Sequence, residues 1–229
     1  MNAGKLLELP FLSPYVLKNE RFHPEEEKQD TFRFYGRQDF RDLIDEILGL
    51  HRAGRSKLFL HGTMAAGKSH LLAAAACYLF RIGKRVVYLA DCLALVKHPV
   101  YSIRIALCLA FADKPDILSK MAKVETADDI RTVCEKVANE YTIYFLVDQV
   151  TALDEDLDSK DRVPSEQKMS LRVLLDQIAE PHLKVQSSSA NVNYSHGKGD
   201  KNRLSSERRL PLYGGLKKVL VIFYILTSR

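Results

Sequence analysis

Two kinds of apolar pattern alternate along this chain. Short runs rich in β-branched and aromatic residues occupy 31–35 (TFRFY), 57–61 (KLFLH), 86–91 (VVYLAD) and 142–148 (TIYFLVD), and 184–191 (KVQSSSAN) reads as a further strand that ends in small polar groups. Between them lie longer stretches whose apolar residues return every three or four positions, at 39–51, 68–80, 101–111, 126–140 and 165–178. The first kind predicts buried strands, and the second predicts helices with one face turned inward. Gly54 is expected to cap the first helix and Thr126 to start the fourth. Alternation of strand and helix implies a parallel sheet covered on both faces, an α/β fold. A fifth core strand is expected at 208–213 or at 219–226; the latter is an apolar octet too short to span a membrane. Residues 1–30, punctuated by Pro10, Pro14 and Pro24, read as an irregular segment. The domain proper is expected at 31–216, followed by an atypical apolar tail at 217–229.

The chemistry begins where the run at 57–61 meets the helix at 68–80. The link is Gly62-Thr63-Met64-Ala65-Ala66-Gly67-Lys68-Ser69, a glycine-bounded loop between strand and helix followed by His70. That is the context of a phosphate-binding loop. Glycines at its ends let successive backbone N–H groups face one anion, and the helix adds its positive dipole end. Lys68 is placed to reach the β- and γ-phosphates, and the Ser69 hydroxyl to sit on Mg2+.

Downstream, the run at 142–148 ends in Asp148-Gln149. An acidic residue closing an apolar strand after such a loop reads as the Walker B carboxylate, a second Mg2+ contact. Gln149 stands where a hydrolytic enzyme usually carries Glu as general base. Glutamine cannot take a proton but can orient water, so turnover is expected to be slow. Ser188, Ser189 or Asn191 at the end of the next strand is a candidate γ-phosphate sensor. That strand is expected between the other two, which gives the order 5-1-4-3-2 of the additional-strand, three-layer P-loop fold. The acidic stretch Asp154, Glu155, Asp156 and Asp158 reads as solvated rather than as a cation site. A polar, basic stretch at 195–209 reads as a loop with some capacity for nucleic acid. Within it, Arg208 or Arg209 is a candidate transition-state cation.

Composition narrows the partners only slightly. The formal charge of +5 on 229 residues suits an anionic ligand without arguing for nucleic acid. No apolar run reaches the roughly 20 residues of a membrane-spanning helix. The four cysteines lie far apart without metal-ligand spacing, so reduced thiols in an intracellular compartment, cytoplasm or nucleus, are expected.

Two resemblances add to this reading. Phe34-Tyr35-Gly36-Arg37-Gln38-Asp39-Phe40 resembles the hydrophobic-Gly-Arg-Glu motif upstream of the P-loop in STAND and Orc/Cdc6-type ATPases, with Gln38 in place of Glu. That resemblance implies that Tyr35, Gly36 and Arg37 lie against the adenine. Taken with GTMAAGKSHLL at 62–72, RVVYLADC at 85–92, Val147-Asp148-Gln149 and LPLYGGL at 210–216, the chain resembles the P-loop ATPase module of Crinkler-type effector proteins from about residue 9 to 216. Members carry an N-terminal header, and many a nuclease-like domain. Nothing here matches either, so the chain resembles a truncated copy.

The resemblance implies Mg-ATP as ligand, slow hydrolysis driving a conformational switch, a protein partner or homo-oligomer, and for a secreted effector, action in a host cell. Two other readings stay open. One is a nucleotide-binding interaction module that does not hydrolyse. The other is a small-molecule kinase, although 126–140 offers only Arg131 toward an arginine-rich lid. ATP is expected over GTP, because no Asn-Lys-x-Asp turn occurs to read guanine.

Overall fold

Two short strands form a ribbon ahead of the main sheet. Strand β1 (Leu6–Pro10) pairs antiparallel with β2 (Thr31–Tyr35), matching Leu6 to Tyr35 and Pro10 to Thr31. The computed structural model describes residues 5–12, 22, 31–63, 66–154, 163–188 and 207–212. The ribbon corrects the expectation of irregular chain throughout 1–30. Pro10 is tolerated because it ends a strand at the ribbon's edge.

Among the described residues the main sheet has five parallel strands: β3 (Lys57–Gly62), β4 (Arg85–Leu89), β5 (Ile143–Val147), β6 (Leu183–Ser187) and β7 (Glu207–Leu212). Their order is β4-β5-β6-β3-β7, which in chain sequence is the expected 5-1-4-3-2. Strand β6 is shorter than expected, and the fifth strand is 207–212. Residues 219–226 lie outside the described residues.

Side chains alternate across these strands, so each buries one set on either face. Leu58, Leu60, Leu146 and Val185 pack with α1 (Gln38–Gly49), α2 (Lys68–Arg81) and the ribbon. Phe59, Val87, Phe145 and Val147 pack on the other side. There the cover comes from α3 (Cys92–Lys97), α4 (Pro99–Ala110), α5 (Pro115–Met121), α6 (Ala127–Val137) and α7 (Ser165–Ala179). The result is three layers, helix on sheet on helix.

Local signals explain several boundaries. A 3-10 turn at His51–Ala53 extends α1 and stops at Gly54, which is left-handed at φ 64°. Thr126 caps α6 reciprocally with Asp129. Asp91 leaves its strand and caps α3, accepting from the Leu93 and Ala94 amides. No described helix is long and apolar enough to cross a membrane.

At the end of the sheet away from the P-loop, His182 ties three elements together. Its Nδ1 accepts from the Ile143 amide at 3.3 Å, and its Nε2 donates to the Cys134 carbonyl at 3.0 Å. Burial pushes its pKa down, with the Cys134 carbonyl working weakly the other way. His61 and His70 are also depressed, chiefly by burial.

This has a consequence for acid stability. Above about pH 6.5 folded and unfolded chains both hold these rings neutral. Below it the unfolded chain binds protons first, so stability falls as pH drops toward the folded-state values. A buried ring such as His182 contributes a slope of up to about 1.4 kcal/mol per pH unit, and the more exposed His61 much less because solvent screens it. Urea midpoints should therefore fall between pH 7.5 and 5.5, and His182→Gln should flatten that fall. A midpoint unchanged over this range would contradict it.

Candidate functional site

Strand β3 delivers the chain to a loop that opens α2. Gly62 sits at φ 150° and Gly67 at φ 78°, conformations that side chains rarely adopt. Gly67 is the N-cap of α2, and Lys68 and Ser69 are its first two residues. The Lys68 ammonium spans the loop, donating to the Gly62 and Thr63 carbonyls, both at 2.9 Å. Ala66 is buried, and its amide donates to the Thr63 carbonyl at 3.3 Å. Met64 and Ala65 lie outside the described residues. The loop thus presents the ammonium, the first amides of a 14-residue helix and the Ser69 hydroxyl at one sheet edge. Such a constellation is suited to a chain of phosphates.

The carboxylate comes from the next strand but one. Asp148 follows β5, and its amide donates to the Leu89 carbonyl at 2.8 Å. Tyr144 and Leu146 face α2, so alternation turns Asp148 to that same side, and it is fully buried (0 % exposed). Asp148 Oδ1 accepts from the Ser187 hydroxyl and from the Gln149 amide, the latter at 3.0 Å. Register fixes this meeting: Leu60 pairs with Ser187, and Gln186 with Val147. Two strand spacings, about 10 Å, separate the lines of β3 and β5, with Ser187 between them.

Ser187 was not among the sensor candidates. Strand alternation carried one step further, along Leu183 and Val185, would have selected it. Ser188 is buried, with its amide on the Leu60 carbonyl at 3.0 Å. Ser189 and Asn191 lie outside the described residues. The neighbouring Cys92 is fully buried, and burial followed by the Asp148 charge pushes its thiol pKa up. It is a packing residue here.

Gln149 is the sole described non-glycine residue in the left-handed region, at φ 60° and ψ 35°. Such a conformation costs about 1–2 kcal/mol for a residue with a Cβ. Hydrogen bonds hold it: its amide to Asp148, and its carbonyl from the Ala152 amide at 2.9 Å. The kink turns the chain at once into a 3-10 turn, Val150–Leu153. Gln149 itself is 3 % exposed.

The other sequence candidates divide. Arg37 reaches the loop, where its Nη2 donates to the Ala66 carbonyl at 2.9 Å. Gly36 closes the ribbon through its amide on the Lys5 carbonyl, at 3.0 Å. Tyr35, at the ribbon end beside Leu6, is 61 % exposed. His70 turns into an aromatic cluster, 4.7 Å from Phe22 and 6.2 Å from Phe32 between ring centres.

Arg208 corrects the expectation of a phosphate-reaching cation. It pairs with Leu58, four residues before Gly62, and its guanidinium grips Glu46 of α1 with bonds of 3.0 and 2.8 Å. Arg209 lies one residue on, in β7, with Glu207 3.7 Å away and close enough to His61 to help depress that ring. Both therefore belong to the fifth strand, as the 208–213 alternative expects, rather than to the loop read through 209. The rest of the basic stretch, at 195–206, is outside the described residues. Asp154 pairs with Arg172 at 2.7 Å, whereas Glu155, Asp156 and Asp158 are not described. No group of three or more metal-ligating side chains occurs among the described residues.

Strand order, parallel crossovers and the loop-to-helix geometry define the class: an additional-strand P-loop NTPase fold. No family model matches the sequence, and no curated protein matches it. Solved structures align with it at low identity. AMPPCP-bound DnaA from Aquifex aeolicus is 14% identical, with 84% of this chain and 51% of that one covered and a TM-score of 0.45. The ORC2 protein of Aeropyrum pernix, in ADPNP and ADP complexes, is 15% identical, with 76% and 47% covered and a TM-score of 0.43. Drosophila ORC bound to DNA is 18% identical, with 75% and 41% covered and a TM-score of 0.44. The chain spans about half the length or less of these structures.

Proposed function

We propose that this chain is a Mg-ATP-binding P-loop NTPase of Crinkler-like, STAND/AAA-like type, in which slow hydrolysis drives a conformational switch. The observation that carries the reading is the placement of Asp148. A fully buried carboxylate stands on the α2 side of the sheet, at the edge where Lys68 and Ser69 begin that helix. Burying a charge this deeply is costly unless strong polar partners meet it. Ser187 and the Gln149 amide are two such partners, both on Oδ1.

The donor set, a carboxylate and the Ser69 hydroxyl, is hard oxygen and fits Mg2+. Bound there, the ion would neutralise charge on the β- and γ-phosphates. The chain's own groups do the rest. Loop amides and the α2 dipole hold the phosphates, Lys68 supplies a fixed positive charge, and Ser187 keeps the Asp148 carboxylate aimed. Gln149 orients water without removing its proton. A protein partner or a second copy of the chain would read the resulting change.

Gln149 also favours the second reading, an interaction module that binds ATP without splitting it, because it stands where a carboxylate would directly follow Asp148.

Calorimetry tests the binding site. Lys68→Ala should weaken ATP binding by roughly 10- to 100-fold, the loss of a charge-assisted contact. Its circular dichroism should match wild type. Unchanged affinity would overturn the site, and equal affinity for ATP and GTP would overturn the base preference.

A further inference from the structure

Arg37 arises in the turn between β2 and α1, yet its guanidinium lies against the P-loop at Ala66 and Gly67. Aromatic packing joins the ribbon to α2 and β4: Phe32 of β2 and Phe22 stand 6.2 and 4.7 Å from the His70 ring of α2. Phe11 meets Phe22 at 5.0 Å and Tyr88 at 6.1 Å, and Phe22 meets Phe32 at 5.5 Å. The Cys77 thiol of α2 adds a bond to the Pro10 carbonyl, at 3.1 Å. From this platform Arg37 Nη2 donates to the Ala66 carbonyl at 2.9 Å. The same group fills the space a side chain at Gly67 would need, with Nη1 2.9 Å and Cζ 3.4 Å from that Cβ position.

The peptide joining Ala66 to Gly67 is planar and trans, so its carbonyl and its N–H point in opposite directions. Fixing the Ala66 carbonyl on Arg37 therefore fixes the Gly67 N–H on the opposite side of that peptide, away from the guanidinium. The Gly67 amide is one of the donors a phosphate-binding loop depends on. The guanidinium also adds a charge beside the anion site, and after burial it is the next influence depressing His70.

We propose that Arg37 is a positioning residue for the phosphate chain: through the Ala66 carbonyl it sets the Gly67 amide for anion binding. This rests on the nucleotide-binding reading and makes that site selective for phosphate-chain length. It differs from the adenine contact implied by the hydrophobic-Gly-Arg resemblance.

A ladder of AMP, ADP, ATP and GTP on wild type, Arg37→Ala and Arg37→Lys, followed by calorimetry, separates the two. For Arg37→Ala the loss should grow along the ladder, small for AMP and roughly 10- to 100-fold for ATP. The ATP-to-GTP ratio should stay at its wild-type value. Arg37→Lys keeps the charge but loses the planar fork, so it should recover only part of the affinity. Equal losses for AMP and ATP, or a changed purine ratio, would assign Arg37 to the base and overturn the proposal.

Hydrogen exchange of the nucleotide-free protein supplies an independent arm. Arg37→Ala should speed exchange of the amides at 66–69 while those of the β5 core stay protected. Unaltered exchange at 66–69 overturns the positioning role of Arg37 even where ATP binds. A wild type that binds no nucleotide, with exchange responding as stated, would instead overturn the nucleotide reading alone.

Discussion

Gln149→Glu should raise single-turnover phosphate release by about 10²–10⁴-fold, the usual contribution of a positioned general base. The substitution is nearly isosteric, and Gln and Glu carry the same unbranched Cβ, so the left-handed backbone at φ 60° costs both alike. Two effects act on the new carboxyl. Burial at 3 % exposure disfavours its charge, and Asp148 next to it disfavours the charge further. Both raise its pKa above the ordinary glutamate range, toward the values at which a carboxylate serves best as base near neutral pH. Bound Mg2+ offsets the repulsion, so the gain should depend on the metal, while the nucleotide-free variant should lose some stability. Asp148→Ala is the companion, and it should abolish metal-dependent release. Wild-type release no faster than that of Asp148→Ala would favour the interaction module over the enzyme. No gain in Gln149→Glu would make Gln149 a structural turn residue.

Strands with both faces buried were legible because their apolar runs need no partner to be recognised. β3, β4 and β5 stand within two residues of their expected ends. Their order followed from the P-loop and the Asp148 strand, with β6 between them. β1 was not legible: its residues alternate between exposed and half-buried, and Pro10 hides the pattern. Helices α3 and α5, six and seven residues long, are too short to show a period. They are set instead by the Asp91 cap and by Pro115 at the first turn.

The candidate site divides along the same line. The loop and Asp148 were readable because local sequence fixes both strand end and helix start. Ser187 and Arg37 act through tertiary contacts, on Asp148 and on the Ala66 carbonyl: alternation along β6 gives the face of Ser187 but not its partner, and no spacing announces the reach of Arg37. Arg208 shows the converse. A basic residue beside a phosphate site suggests a ligand, but pairing opposite Leu58 points it at Glu46 instead.

Gly62→Ala should be the most damaging single substitution in the loop, and the reason lies outside the loop. A Cβ at Gly62 would stand 1.9 Å from the Leu212 carbonyl oxygen and 2.9 Å from the Leu212 carbonyl carbon. These are backbone atoms of β7, paired in register with β3 up to Gly62 itself. A flexible side chain could swing aside, but this strand can only be pushed off the sheet edge. The φ of 150° adds strain of about 1–3 kcal/mol for any residue with a Cβ. Displacing β7 adds a further 1–3 kcal/mol, as overpacking typically does. Together they predict a loss of about 2–6 kcal/mol in urea unfolding, with nucleotide binding lost as the loop's first glycine moves. Gly54→Ala separates the two contributions, since Gly54 is left-handed at φ 64° with nothing within 4 Å of its Cβ position. That variant should lose only about 1–2 kcal/mol. If Gly62→Ala costs no more than Gly54→Ala, the close approach of β7 is not what requires glycine at the mouth of the loop.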